Sequence, residues 1–129
     1  MSNSMAVTRG IRVEVDAEYV PGQSDPAQGR WFFAYHVCIT NEGAETVRLM
    51  SRHWIITDAD GQVEEVRGPG VVGAQPVLQT GQSFEYTSFC PLNTSFGSMR
   101  GTYQMVTEAG ESFDARIATF ALNEPYSVN

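Results

Sequence analysis

Three glycines and an arginine form the stretch of the sequence whose residue types and spacing most suggest a binding chemistry. Arg67 precedes Gly68, Gly70 and Gly73, and the three glycines have the GxGxxG spacing of a dinucleotide-binding fingerprint. In that fingerprint a strand turns sharply into a helix whose N-terminus holds a pyrophosphate. Here Pro76 and a further turn follow soon after, which leaves no room for the helix. The sequence therefore excludes a Rossmann-type nucleotide site.

The same glycines allow a simpler kind of anion site. Successive N–H groups of a glycine-rich loop can point inward and bind an anion, and the side chain of Arg67 would add positive charge. We therefore keep Arg67, Gly68, Gly70 and Gly73 as a candidate loop for pyrophosphate or a nucleotide. The alternative is that these glycines only serve a tight loop that packs on the rest of the fold.

The histidines and cysteines suggest a metal site or a disulfide, and both interpretations are weak. His36, Cys38 and His53 are residue types that bind zinc and other soft divalent metals, but their spacing matches no known metal-binding pattern. Cys38, Trp54 and Cys90 imitate the Cys-Trp-Cys order of immunoglobulin domains. However, alternation places Cys38 on the less apolar face of its strand. We expect two free thiols and no metal site.

The sequence contains no recognisable catalytic residues. No serine lies in a nucleophile elbow, and neither histidine has a carboxylate close to it in the sequence. Glu64 and Glu65 are adjacent in a predicted strand and would point to opposite faces. Together with Asp58 and Asp60 they form an acidic hairpin that is either a loose site for a hard cation or merely solvated surface. We expect no enzymatic activity and no cofactor.

Aromatic residues crowd the segment that follows the glycine loop. Alternation along the strand predicts that Phe84 and Tyr86 point into the core, so that Phe89 faces outward near Phe96. Exposed aromatic side chains beside rigid turns are typical of protein-recognition surfaces. Phe89 and Phe96 are therefore the candidate partner-binding residues, the alternative being that all the aromatic residues of this segment fill the core or pack on one another.

The elements that must position these residues are predicted to be β-strands throughout. Hydrophobic alternation predicts strands at 11–19, 31–41, 62–67, 83–90, 98–107 and 112–122, with one long strand or two short ones within 46–61. No window has the 3.6-residue period of a helix. About seven strands separated by turns are typical of an all-β, antiparallel β-sandwich of the immunoglobulin or fibronectin type III kind. An eight-stranded barrel is the alternative.

Length and composition predict one globular domain that avoids nucleic acid and membranes. The 129 residues form one domain by size, with flexible tails expected at about 1–8 and 123–129. The net charge of -7, with eight scattered arginines and no lysine, argues against nucleic acid as a partner. We find neither a signal peptide nor a long apolar run, so we expect a cytoplasmic protein without membrane insertion.

Three consecutive motifs in the second half of the chain resemble the ApaG family of small bacterial domains. The family pattern is GxGVVGxQPxL, then FxYTS, then PLxTxxGxMxGxY, and it is matched at Gly68 to Leu78, Phe84 to Ser88 and Pro91 to Tyr103. The chain departs from the pattern at three loop positions, where Thr80, Phe89 and Ser95 replace an expected Pro, Gly and Pro.

The resemblance implies a fibronectin type III-like sandwich that acts as a non-enzymatic module for binding an unidentified protein partner. Related domains occur in eukaryotic F-box proteins and in a protein that interacts with DNA polymerase delta. The resemblance also implies an association with cobalt tolerance and magnesium efflux, and with genes for diadenosine tetraphosphate hydrolysis. This association motivates the alternative function, a sensor of a phosphate ligand that binds through residues 68–73.

Overall fold

The computed structural model describes residues 2–125, which form two antiparallel β-sheets packed face to face. The strands are β1 (Ser2–Thr8), β2 (Ile11–Tyr19), β3 (Trp31–Asn41), β4 (Val47–Asp58), β5 (Val63–Pro69), β6 (Val77–Leu78), β7 (Ser83–Leu92), β8 (Phe96–Thr107) and β9 (Ser112–Asn123). The loop between β2 and β3 contains two short 3-10 helices, Pro21–Gln23 and Pro26–Gln28.

The strand order confirms the predicted β-sandwich. The first sheet has the order β1-β2-β3-β7, and the second has the order β5-β4-β8-β9, with the short β6 paired to β4. Within residues 2–125 there are nine strands rather than about seven, because β1 and β6 were not predicted. All strand pairs are antiparallel, as expected for hairpin and Greek-key connections.

The core lies between the two sheets and follows the alternation of the sequence in the first sheet. Val13 and Val15 of β2 and Phe33, Val37 and Ile39 of β3 are buried, as their shared parity predicts. They face a layer of large side chains from the second sheet that includes Leu49, Trp54, Tyr103, Met105 and Phe120. Close packing of these two layers holds the sheets together.

The predicted N-terminal tail is wrong, because residues 2–8 form β1, which pairs with residues 11–17 of β2. The strand was missed because its small and polar residues point inward while Met5 and Val7 are exposed. The inward side lies against the edge of β9. There the Ser4 hydroxyl donates to the carbonyl of Ala118 at 2.8 Å, and the N–H of Arg116 donates to the Thr8 hydroxyl at 3.0 Å. Small hydroxyl side chains fit this close approach, and apolar ones would not satisfy those backbone groups.

One side of the sandwich is therefore closed and the other is open. On the closed side β1 and β2 pack against β9. On the open side β7 and β5 are edge strands with no further strand beside them in the described part of the chain. Each carries a proline, Pro91 in β7 and Pro69 in β5, which a strand bonded on both sides would not tolerate.

A β-bulge divides β4, which is one strand and not two. Pairing with β8 shifts register between Leu49 and Ser51, so Met50 is the extra residue. Before the bulge the odd-numbered Val47 and Leu49 are buried, and after it the even-numbered Trp54 is buried. The bulge therefore exchanges the inner and outer faces of the strand.

The predicted C-terminal tail at 123–129 falls largely outside the described residues. Asn123 ends β9, and the backbone N–H of Glu124 donates to the carbonyl of Ser95 at 2.9 Å. The carboxylate of Glu124 also accepts a hydrogen bond from the indole N–H of Trp31 at 3.0 Å. In residues 2–125 no helix is both long and apolar enough to cross a membrane.

Asn41 is a buried polar residue that joins the end of β3 to two other segments. Its amide nitrogen donates to the carbonyls of Glu45 at 2.7 Å and Leu78 at 2.9 Å, and its carbonyl oxygen accepts from the N–H of Gly43 at 2.9 Å. Because Asn41 is fully buried, these protein groups and not water satisfy its side chain.

We predict that Asn41→Ala lowers the free energy of unfolding by about 2–4 kcal/mol, because buried carbonyls lose their donors. The neighbouring Thr40→Ala removes a surface hydrogen bond to Ser83 and a weak contact with the Cys38 thiol, and it should cost less than about 1 kcal/mol. Urea denaturation followed by tryptophan fluorescence measures both changes. Equal losses in the two variants would contradict the role given to Asn41.

Candidate functional site

The tip of the predicted anion loop is a tight hairpin turn rather than an open nest of N–H groups. The N–H of Val71 donates to the carbonyl of Ala74 at 2.8 Å, and the N–H of Ala74 donates back to Val71 at 2.9 Å. Between them Val72 and Gly73 have φ angles of 42° and 82°, as in a type I′ turn. The N–H groups of Val71 and Ala74 are thus already occupied, and the exposed residues at the tip are Val72 and Gly73.

Close packing requires glycine at position 70 and favours it at position 68. Gly70 is buried with a φ of 58°, and a Cβ there would lie 2.2 Å from the carbonyl oxygen of Ala74. A Cβ on Gly68 would lie 2.9 to 3.0 Å from the guanidinium group of Arg52. Gly70→Val would therefore disturb the backbone of the turn whatever the loop binds, whereas the exposed Gly73 has open space around it.

The loop is tied to the bulge of β4 by two hydrogen bonds to one carbonyl. The backbone N–H of Gly70 and the side-chain amide of Gln75 both donate to Met50, each at 2.9 Å. Because a bulge leaves its extra residue without a ladder partner, these donors satisfy a carbonyl that the neighbouring strands do not use. The glycine loop and the bulge thus stabilise each other.

Arg67 lies away from the interior. In the pairing of β4 with β5 it is opposite His53, on the outer face of the second sheet, and its side chain is 71% exposed. Its guanidinium is 3.8 Å from the carboxylate of Glu65. The anion prediction for Arg67, Gly68, Gly70 and Gly73 stays a prediction, with Arg67 and Gly73 the two that solvent can reach.

Arg52, which the sequence analysis did not single out, is the residue that the loop positions. Its Nη1 donates to the carbonyls of Pro69 and Gly70, each at 3.0 Å, and its guanidinium lies against the backbone of Gly68. Within residues 2–125 no carboxylate lies within 4.0 Å of it. Arg52 is therefore a half-buried cation held by carbonyl dipoles alone.

Arg52 lies in a cleft of about 260 Å³ between the open edges β5 and β7. Apolar walls come from residues such as Ile56, Val66 and Met99, and polar groups come from Tyr35, Ser88, Trp54 and the rim residue Glu64. Trp54 is only 2% exposed, and its indole N–H is the one buried side-chain polar atom in the described chain that has no hydrogen-bond partner. A cleft that combines apolar walls with a few polar groups is typical of a binding site.

The phenol groups below the cleft are neutral at physiological pH. Burial raises the pKa of Tyr35, while the neighbouring Ser88 hydroxyl and the charge of Arg52 act in the opposite direction. Burial also raises the pKa of Tyr86 and Tyr103, whose hydroxyl groups are hydrogen-bonded to each other. These hydroxyls are therefore hydrogen-bonding groups rather than charges.

The structure places Phe89 and Phe96 at the surface, as predicted, but not in one aromatic cluster. Phe89 is 55% exposed on the outer face of the first sheet, where its ring stacks on Phe32 with centroids 5.5 Å apart. Phe96 is 51% exposed at the start of β8, and no ring contact joins it to Phe89 in the described chain. Tyr86 is buried and Phe84 packs against the core, as expected.

The histidines and cysteines are not brought together. His36 and Cys38 lie on the outer face of the first sheet, whereas His53 lies on the outer face of the second. In residues 2–125 no three metal-binding side chains form a cluster. The two thiols are free, and Cys90 is buried in the cleft wall while Cys38 is partly exposed.

Each histidine nevertheless lies within hydrogen-bond distance of a glutamate that the sequence analysis did not pair with it. Nε2 of His36 is 2.8 Å from Glu85, and Nδ1 is 3.0 Å from the hydroxyl of Thr87. Nε2 of His53 is 2.7 Å from Glu65. Acyl-transfer chemistry needs such a relay beside oxyanion donors in an enclosed site. The His36 group instead lies on an open sheet face with side chains about half exposed, which is the setting of a surface ion pair.

The acidic hairpin uses one of its carboxylates to build the turn. Asp58 accepts hydrogen bonds from the backbone N–H groups of Asp60 at 2.9 Å and Gln62 at 3.0 Å. Glu65 is paired with His53, and Glu64 lies at the rim of the cleft. Three of the four carboxylates thus have separate roles, and within residues 2–125 the four do not form a metal-binding cluster.

Comparison with known proteins identifies the family. The model of the ApaG domain matches residues 21–107. The chain belongs to the ApaG domain family. It is 58% identical over 120 residues to Protein ApaG of Rhodospirillum centenum, covering 93% of this chain and 92% of the relative. It is 55% identical over 126 residues to Protein ApaG of Anaeromyxobacter dehalogenans, covering 98% and 99%.

The fold is shared with a solved structure. A crystal structure of a protein from Bordetella pertussis, described as ApaA, superposes with a TM-score of 0.88 at 54% identity and covers 91% of this chain and 95% of its own. The resemblance inferred from the three motifs is confirmed, and the structure explains their glycines. Gly68 leaves space for the guanidinium of Arg52, and Gly70 leaves space for the backbone of the turn. A Cβ on Gly101 would lie 2.1 Å from the carbonyl oxygen of His53.

We predict that the two thiols differ sharply in reactivity. Burial and the nearby charge of Glu64 raise the pKa of Cys90 to about 12, so at pH 8 only about one molecule in ten thousand carries the reactive thiolate there. The folded native protein should release one equivalent of thionitrobenzoate from Ellman's reagent, and the folded Cys38→Ser variant should release none. A second equivalent should appear only on unfolding. Rapid labelling of Cys90 in the folded Cys38→Ser variant would show that the cleft wall opens.

Proposed function

We propose that this ApaG domain is a non-catalytic binding module that adds an extended segment of a partner protein to the open edge of β7. The observation that carries the proposal is the exposed ring of Phe89, stacked on the half-buried Phe32 beside that edge. Stacked aromatic rings at an unpartnered strand edge supply both an apolar anchor and backbone hydrogen bonds to an extended peptide.

The register of the first sheet shows which backbone groups of β7 are available. The backbone N–H of Asn41, at the end of β3, donates to the carbonyl of Gln82, which immediately precedes β7. On the other side of β3, the N–H of Val20, which follows β2, donates to the carbonyl of Phe32. Odd-numbered residues of β3 thus bond to even-numbered residues of β7. The N–H and C=O groups of Glu85, Thr87 and Phe89 consequently face the open edge, and Pro91, which lacks an N–H, ends the row.

The charges on the outer face favour a basic and aromatic partner segment. Glu14, Asp16 and Glu18 of β2 and Glu85 of β7 lie on the face that carries Phe89. Side chains of an added strand lie next to those of β7 on the same face. A partner with an aromatic residue opposite Phe89 and a Lys or Arg opposite Glu85, four positions away, complements this row.

We predict that peptides selected from a random library against the immobilised protein carry an aromatic residue and a basic residue four positions apart. Phe89→Ala should weaken the selected peptides at least about tenfold, as expected for an aromatic anchor. Val77→Ala is the matched control, because Val77 is 53% exposed on the second sheet. Phe96→Ala tests whether that residue belongs to the same surface. Equal affinity of Phe89→Ala and the control variant would refute the proposal, provided that circular dichroism shows both to be folded.

The second candidate function is a sensor for pyrophosphate or a nucleotide at the glycine loop. It is favoured by the exposed Arg67 and by the solvent-facing turn at Val72 and Gly73. The hydrogen bonds made by Gly70, Val71 and Ala74 leave fewer donors than an anion nest uses, so this proposal ranks second. The link to cobalt tolerance and magnesium efflux stays a prediction from family membership.

An NMR titration with pyrophosphate, with and without magnesium, tests the sensor. We expect saturable amide shifts confined to the segment from Arg67 to Gln75, and Arg67→Gln should abolish them because the charge that attracts the anion is lost. Arg48→Gln is a control, since it removes an exposed arginine that contacts the carbonyl of Gln75 from the neighbouring strand. Shifts absent at millimolar pyrophosphate, or unchanged in Arg67→Gln, would dismiss the sensor.

A further inference from the structure

We infer that the cleft between the open edges β5 and β7 is a binding site for an apolar group that ends in a carboxylate, with Arg52 as the cation that recognises it. This site adjoins the glycine loop, whose carbonyls hold Arg52, and it shares Phe89 with the surface around β7. It does not rest on the proposed function, because a small acid or a chain end can occupy the cleft whether or not a strand adds to β7.

The first argument is the charge of Arg52. Its Nη1 is bonded to two carbonyls, while its Nη2 and Nε make no hydrogen bond to the residues that the structure describes. A half-buried guanidinium without a carboxylate partner is costly, since its charge is partly removed from water. An arriving carboxylate would pair with this fork through charge-assisted hydrogen bonds.

The second argument is the unpartnered indole of Trp54. Its N–H is buried and makes no hydrogen bond, although the side chain lines the same cleft as Arg52. Buried donors without acceptors are rare in folded proteins and call for a specific explanation. The other indole, that of Trp31, has a glutamate acceptor. The N–H itself is closed to solvent, so a ligand oxygen would become its acceptor through a small shift of the indole ring on binding.

The third argument is the size and the lining of the cleft. About 260 Å³ is below the range of roughly 300–1,000 Å³ for pockets that hold drug-sized molecules, so one ring or one side chain fits. Ile56, Val66 and Met99 provide apolar contact, and the hydroxyls of Tyr35 and Ser88 provide further hydrogen-bonding groups. The carboxylate of Glu64, which also lines the cleft, opposes the binding of an anion and favours a ligand of low negative charge.

The indole signals provide a direct test in the intact protein. The chain has two tryptophans, so a ¹⁵N–¹H spectrum contains two indole cross-peaks, and Trp31→Phe assigns them. Titration with benzoate should move the Trp54 peak saturably and leave the Trp31 peak in place. N-acetylphenylalanine, which mimics the carboxyl end of a polypeptide, is the second probe. Tighter binding of benzoate would indicate that the preferred ligand is a small acid. Tighter binding of N-acetylphenylalanine would indicate that it is the carboxyl end of a polypeptide.

The charge requirement is tested by neutral probes and by two variants. Benzamide and N-acetylphenylalanine amide should bind at least about tenfold more weakly than the acids, and Arg52→Gln should reduce acid binding to the same extent. Glu64→Gln should tighten it a few-fold, because the repelling charge is lost. The neutral probes need no substitution, so they decide the question even if Arg52→Gln fails to fold.

Three results would overturn the inference. One is a Trp54 indole peak that stays unmoved at 20 mM benzoate and N-acetylphenylalanine (about the limit of useful affinity). Another is equal binding of the acids and their amides, which would mean that the cleft takes any apolar ring. The third is weaker acid binding in Glu64→Gln, which would mean that the occupant carries a positive charge.

Discussion

The bulge at Met50 is the constraint on which the interior of this sandwich depends. A strand without it would keep one parity, and the face that begins with Val47 and Leu49 would continue with Ser51 and His53. The extra residue exchanges the faces, so that Arg52 and Trp54 point between the sheets. The carbonyl that the bulge leaves without a ladder partner is satisfied from the glycine loop, by Gly70 and Gln75. A local defect in the ladder and a distant turn are thus one structural unit.

The glycines that look like a phosphate-binding motif therefore have an architectural role. Gly68 leaves space for the guanidinium of Arg52, and Gly70 adopts a left-handed conformation in contact with the turn backbone. Substituting side chains at either position would move the loop from Met50 or displace Arg52. A motif of this kind can be shared by a family for packing alone, since only glycine permits such close approach.

A half-buried arginine at the open side of a sandwich needs compensation. Arg52 receives it from the carbonyls of Pro69 and Gly70, which are partial charges and cannot replace a carboxylate. The edges above it stay open, because Pro69 and Pro91 interrupt the row of donors that would recruit another strand along their whole length. The same side of the molecule thus combines a cation, an unsatisfied indole and incomplete edges, whereas the opposite side is sealed by β1 against β9.

The sequence by itself determined the fold class, the family and most of the strands. Strict alternation in 11–19 and 31–41 decided which face is buried, because a strand with one wet face must place its apolar residues on the other. Hydrophobic alternation did not predict the buried face where contacts with another part of the fold determined which residues point inward. In β1 the inward residues are small and polar, since they satisfy the backbone of β9. In β4 the bulge reversed the parity, and no local pattern signals which residue will be the extra one.

Only the tertiary structure decided the site. The pairing of Phe89 with Phe32, of each histidine with a glutamate, and of Arg52 with the glycine loop joins residues that are distant in sequence. Residue types and spacing within one strand describe a face of that strand. Which charges and rings meet across strands depends on register and on the bulge, and these are set by the packing of the whole sandwich.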